Sequence, residues 1–176
     1  YLIAGVDLLL SDSWYEKYDL SIALNMERSE CEYLNGNFDR AENFFDVVLK
    51  NAKTNLEKAN VYSIKTILYT NMGKSNEAVQ SGIQGLKLLN LNLPDNPSKI
   101  EIVMELLKSK LNLINKKTDN LINLPDMTDP GKLIIMKLIM DMAPPTYFAS
   151  PNLAILISLR MFNISLKYGN TDSSSY

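Results

Sequence analysis

Gly73-Lys74-Ser75 are the residues with which a phosphate-binding loop ends. In a G-x-x-x-x-G-K-S/T loop, backbone N–H groups and the lysine cradle phosphates while the hydroxyl holds magnesium. The first glycine of that spacing falls on Leu68, and no buried strand precedes it, so the triplet reads as a corner between two helices. Asp126 and Asp129, separated by Met127 and Thr128, bring two carboxylates close enough to suggest acid–base work or a cation site. No other oxygen-rich cluster accompanies them and Pro130 follows at once. Asp129 therefore reads as the N-cap of a helix, and Asp126 as a turn residue. Glu101 and Glu105 share one helix face, with Lys108 as charge complement, which reads as a solvated face.

Cys31 lies on an apolar helical stripe between Glu30 and Glu32, two carboxylates that disfavour a thiolate, so it reads as packing. Asn163-Ile164-Ser165 has the form of a glycosylation sequon but falls inside a helix. Lys108, Lys110, Lys116 and Lys117 gather near one helix end without interleaved aromatics, which suits the helix dipole better than nucleic acid. Trp14, Tyr15 and Tyr18 resemble a packing cluster at a helix start rather than a ligand cage. The chain has no histidine, which excludes Ser-His-Asp and Cys-His relays and imidazole zinc sites. No residue is assigned as catalytic, cofactor-binding or metal-ligating.

The elements that hold these residues are helical. The chain has 176 residues, enough for one domain with an unstapled core, and a single Cys precludes an internal disulfide. A formal charge of −2 argues against a nucleic-acid surface. Tyr1–Leu10 is apolar but lacks the basic region of a signal peptide. Leu133–Met142 and Leu153–Phe162 are interrupted by Lys137, Asp141 and Arg160, so they read as core helices rather than membrane spans. Ser13…Glu16, Thr54…Glu57 and Ser98…Glu101 fit the capping box, and Asp129-Pro130 and Ser150-Pro151 fit an N-cap followed by proline. Gly36, Gly73 and Gly169 sit where helices should stop.

Apolar spacing predicts helices at about 14–34, 38–53, 55–72, 75–91, 97–116, 130–142 and 151–168, plus an N-terminal stub. The stripe Val61, Ile64, Leu68, Met72 is one example, and Ile102, Leu106, Leu113 another. The expected class is all-α. Gly36 and Gly73 are 37 residues apart, as are Ala41 and Ala78, and this repeat resembles the tetratricopeptide repeat. Phe38 and Phe45 fit the pattern. The repeat's core positions would fall on Arg28, Ser29 and Glu32, whereas the apolar stripe runs Leu20, Leu24, Cys31, Leu34, so an altered register is expected. The expected architecture is a right-handed stack of antiparallel helical hairpins, with repeat-like units at about 14–53 and 55–91 and irregular helices over about 97–168.

A more specific resemblance runs along nearly the whole chain. It is carried by Asp12-Ser-Trp14, Tyr18-Asp-Leu20, Glu30-Cys-Glu-Tyr-Leu34, Gly36, Phe38-Asp-Arg-Ala-Glu42, Lys58-Ala59, Val61-Tyr62 and Glu77-Ala78. Gly82, Gly85-Leu86, Leu93-Pro94, Leu124-Pro-x-Met-Thr-Asp-Pro130 and Leu166-Lys-Tyr-Gly-Asn170 complete it. In order and spacing this resembles the helical region that follows the AAA-type ATPase module in large bacterial signalling proteins. Those proteins join a serine/threonine protein kinase, an ATPase, this region, a GAF sensor and a histidine kinase. Asn90 departs from the family's usual glycine.

The resemblance implies a non-catalytic helical-repeat module serving protein–protein or interdomain contacts in a multidomain signalling ATPase/kinase. ATP would belong to the parent's other domains, with no cofactor in this segment. An alternative is an effector-sensing domain with a small-molecule pocket near Pro144-Pro145-Thr146-Tyr147-Phe148. Neither nucleic acid nor membrane insertion is expected, and the expected location is cytoplasmic. The non-Met start and the polar end at Thr171–Tyr176 suggest a piece of a longer polypeptide.

Overall fold

In the computed structural model of the chain, residues 13–114 and 124–171 are described. The expected N-terminal stub, the apolar run at 1–10, Lys116, Lys117 and the polar end beyond 171 lie outside them. The described residues form eight helices: α1 (Ser13–Glu16), α2 (Tyr18–Leu34), α3 (Phe38–Asn51), α4 (Asn55–Asn71), α5 (Ser75–Leu88), α6 (Lys99–Leu113), α7 (Pro130–Ala149) and α8 (Pro151–Tyr168). The protein is all-α. Its one piece of extended pairing among the described residues is an isolated parallel bridge between Asp126 and Asn170.

Local chemistry explains most helix ends. At Gly36 (φ +79°) and Gly73 (φ +71°) the chain takes the left-handed conformation. Asn37 N–H reaches back to the Glu32 carbonyl and Lys74 N–H to the Tyr69 carbonyl, while the Gly36 N–H bonds the Tyr33 carbonyl and the Gly73 N–H that of Thr70. These paired bonds satisfy carbonyls that a helix end leaves open. Asn90 (φ +62°) repeats the device, with Leu91 N–H on the Leu86 carbonyl, which ends α5 three residues before the expected 91. The capping boxes at Thr54/Glu57 and Ser98/Glu101 are formed. At Ser13 the expected box is not seen, because Ser13 is itself helical.

Two helix boundaries differ more substantially. The expected helix at 14–34 is divided at Lys17, whose backbone (φ −133°, ψ 48°) is not helical. The expected helix at 130–142 continues to Ala149 with Pro144 and Pro145 inside it. The prolines remove the N–H groups that would bond the carbonyls of Met140 and Asp141. Pro145 and Thr146 are nonetheless buried, and Thr146 Oγ1 donates to the Ala143 carbonyl (2.9 Å). Packing holds the helix past the point where local sequence would stop it.

The chain divides into two compact units, Tyr1–Val61 and Tyr62–Tyr176, with the boundary inside α4. In the first unit, α2 and α3 pair as a hairpin whose buried apolar residues include Met26, Ala41, Phe45 and Val48. The altered register expected for α2 is corrected. Arg28, Ser29 and Glu32 are buried, whereas Leu20 and Leu34 of the apolar stripe are exposed and Cys31 is half-buried. The buried face is polar because it is internally satisfied. Arg28 Nε donates to Glu32 Oε1 (2.7 Å), Asn37 Nδ2 to Glu32 Oε2 (2.7 Å), and the guanidinium lies over the Phe44 ring (5.4 Å). The bonds from Asn37 and Arg28 hold the Glu32 carboxyl below its ordinary range.

In the second unit α7 packs against α5 and α8, and α8 also packs against α6. The core is apolar: Ala78, Val79 and Leu86 on α5, Ile135, Met136, Leu138, Ile139 and Met142 on α7, and Leu153, Leu156 and Ile157 on α8. Gly82 and Gly85 allow α5 close to α7, since a Cβ at Gly82 would fall 2.3 Å from Met142 Cγ. At Gly85 it would fall 2.9 Å from Tyr62 Cβ and 3.1 Å from Leu138. The strings 124–130 and 166–170 meet here. Met127 N–H donates to the Asn170 carbonyl (2.7 Å) and Asn170 N–H to the Pro125 carbonyl (2.9 Å).

Candidate functional site

Three helices of the second unit, α6, α7 and α8, line an open cavity of about 660 Å³. Each presents residues spaced three or four apart, the spacing that places side chains on one helical face. Glu105, Lys108 and Asn112 come from α6, Lys132 and Ile135 from α7, and Arg160, Asn163, Ile164 and Lys167 from α8. Leu91, Leu166 and Tyr168 complete the lining.

Glu105 is the centre of a buried polar network and is only 5% exposed. Asn163 Nδ2 donates to Glu105 Oε1 (2.7 Å), and Asn112 Nδ2 donates to Asn163 Oδ1 (3.0 Å). Arg160 Nε lies 3.0 Å from Glu105 Oε2, and Lys108 Nζ lies 3.6 Å from Oε1. The Arg160 contact is ionic without hydrogen-bond alignment, leaving a buried Nε with no hydrogen-bond partner. The Lys132 and Lys167 ammonium groups each lie 5.0 Å from the centroid of the Tyr168 ring. Four cationic side chains thus line a cavity that holds one carboxylate.

The solvated face expected for Glu101 and Glu105 is therefore corrected for Glu105, whereas Glu101 is exposed and caps α6. The reason is that α6 lies inside out. Its buried residues are Glu105 and Ser109, while Ile100, Met104, Leu107 and Leu111, with Ile114 at the C-cap, are all more than half exposed. These five recur at alternating spacings of four and three, the a/d pattern of a coiled-coil seam. Of the expected stripe Ile102, Leu106, Leu113, the first and last are half-buried and Leu106 is exposed.

The other residues singled out by type have structural places. Gly73 and Lys74 form the turn into α5, which Ser75 opens. Asp129 Oδ1 accepts the Lys132 N–H (3.0 Å), as expected of an N-cap. Ser150 stands at the N-cap of α8, but its buried hydroxyl has no hydrogen-bond partner. Asn163 of the sequon is buried in α8, with its amide in the Glu105 network. Lys108 and Lys110 are exposed on α6. In the first unit Trp14 and Tyr18 meet edge to face (6.3 Å), and Tyr15 is exposed. Tyr18 Oη donates to Glu57 Oε2 (3.0 Å) and accepts the Lys53 N–H (2.8 Å). Tyr147 and Phe148 are exposed, and a smaller recess of about 360 Å³ opens beside Ala149–Asn152.

A half-buried acid, Asp141 on α7, lies apart from the cavity lining. Asp141 accepts the Ser63 hydroxyl proton (2.5 Å), and burial pushes its carboxyl above the ordinary range against the opposing effects of Ser63 and Lys137.

The cavity was missed in the sequence, although one signal pointed to it. Arg160, Asn163 and Lys167 form a polar stripe at spacings of three and four on a helix whose other residues are mostly apolar. Among the described residues no group of three or more Cys, Asp or Glu is arranged to hold a metal ion, and no helix is long and apolar enough to cross a membrane. No protein-family model, curated protein or solved structure matches the chain.

Proposed function

We propose that this chain is a non-catalytic helical-repeat module that makes protein–protein or interdomain contacts, the regulatory arm of a multidomain signalling ATPase/kinase. The observation that carries the contact role is the exposed seam of Ile100, Met104, Leu107, Leu111 and Ile114 on α6. A regular apolar seam in water is the half of a helix–helix interface that a partner helix completes. Lys108 and Lys110 flank its C-terminal half, which favours a partner helix with acidic flanks. The parent architecture rests on the strings 124–130 and 166–170, whose pairing gives them a joint structural role.

A synthetic helix with Leu at each seam position and Glu on both flanks tests the contact, because its own charges keep it from self-pairing. Fluorescence anisotropy should show binding that Leu107→Glu/Leu111→Glu abolishes. A lysine-flanked peptide binding equally well, or no binding at all, would overturn this reading. Reading the coding sequence on either side tests the parent, and a gene with neither kinase nor ATPase would overturn that part. ATP hydrolysis by the purified chain would contradict the non-catalytic assignment.

The second reading, effector sensing, is favoured by the cavity between α6, α7 and α8, and not by the neighbourhood of Tyr147 and Phe148, both of which are exposed.

A further inference from the structure

We propose that this cavity binds a small organic anion with an apolar body, its oxyanion head taken by Lys132 and Lys167 beside the Arg160–Glu105 pair. The proposal rests on the effector-sensing reading and gives it a ligand class. Glu105 is already matched by Asn163, Arg160 and Lys108, so the cavity's own carboxylate leaves positive charge over. Lys132 and Lys167 flank the Tyr168 ring, and among the described residues neither ammonium meets a carboxylate. Arg160, whose Nε is paired ionically with Glu105 Oε2 (3.0 Å), keeps that carboxylate neutralised beside them. Ammonium groups left in this state are stabilised most by an anion, because charge-assisted hydrogen bonds are the strong ones.

The remaining wall decides the rest of the ligand. Leu91, Ile135 and Ile164 offer apolar surface beside the cationic cluster. A bare inorganic ion would leave that surface wet, whereas an amphipathic anion covers it while its head meets the cations. A cavity of about 660 Å³ is of the size that holds small organic ligands.

The test compares four probes of one chain length, hexanoate, hexyl phosphate, hexanol and hexylammonium, by calorimetric titration and thermal shift on the whole chain. The two anions should bind and raise Tm, and their affinity should fall as salt rises. Lys132→Gln/Lys167→Gln, at the edge of the network and not part of the Glu105 cluster, should fold normally and weaken the anions by about tenfold. Arg160→Gln should weaken them further, and its circular dichroism spectrum separates lost binding from lost fold. Equal binding of hexanol or hexylammonium would overturn the anion assignment while leaving a ligand cavity. No binding by any probe would overturn both the assignment and the effector-sensing reading.

Discussion

Gly169 shows how tightly a single residue is specified. Its φ of +103° disfavours any L side chain, and a Cβ there would lie 2.1 Å from the Pro125 carbonyl oxygen. Gly169→Ala should cost roughly 3 kcal/mol from backbone strain and overpacking. Differential scanning calorimetry should then show Tm lower by about 10 °C. The helix stop at Gly169 was legible in the sequence, but the carbonyl pressed against it was not, because that carbonyl arrives from a segment more than forty residues earlier. Asp141 gives the opposite sign of effect. Its carboxyl is raised by burial, so ionising it in the folded state is unfavourable; the loss begins as pH rises above the ordinary aspartate value and is complete once pH has passed the folded value. Asp141→Asn should therefore raise Tm at pH 7, and the gain should vanish below the ordinary aspartate pKa of about 3.9. A melting series from pH 3 to pH 7 on both proteins checks this, and an unchanged difference across the series would contradict it.

At the scale of the element, α2 and α6 are the instructive pair. Periodicity identified both as helices but pointed to the wrong face as the buried one, since the apolar stripe is normally the one that packs. In α2 the deciding factor is the Arg28–Glu32–Asn37 cluster, and in α6 it is Glu105 with Asn163 and Arg160. Partners from four to more than fifty residues away satisfy these polar faces, and an apolar stripe carries no trace of them. The two faces of α6 should respond unequally to substitution. Glu105→Ala leaves Arg160 and Asn163 unmatched and should cost about 2 kcal/mol in urea unfolding. Leu107→Glu, on the exposed seam, should change stability by no more than about 0.5 kcal/mol. The helix start is also separable, and Ser98→Ala should cost about 1 kcal/mol by removing the cap on the Glu101 N–H.

For the whole molecule, the all-α class was readable because caps, glycine stops and apolar period agreed along the chain. The cavity was not, because it is assembled from residues of three helices that no local window contains. Charge sets the molecule's response to acid. Glu32 is held below its ordinary range by Asn37 and Arg28, and Glu101 by Ser98. Burial pushes Glu57 up, but hydrogen bonds from Thr54, Tyr18 and Lys53 outweigh it and leave that carboxyl lowered as well. A lowered carboxylate stabilises the fold above its ordinary pKa and loses that contribution as pH falls through its folded value. Acid unfolding should thus set in below about pH 4.3, the ordinary glutamate value. With no histidine in the chain, the profile should show no imidazole step between pH 5 and 8.

The inverted placement of α6 has a consequence for motion. A helix whose seam residues are already in water exposes little new apolar surface when it opens, so the hydrophobic effect does little to hold it shut. What holds it is mostly the polar network around Glu105, which water can replace. Local opening of α6 should accordingly be far more frequent than that of α7, whose inward face is a nearly continuous apolar layer from Ile135 to Met142. Amide hydrogen exchange should find the α6 N–H groups among the first of the second unit to exchange and those of α7 among the last.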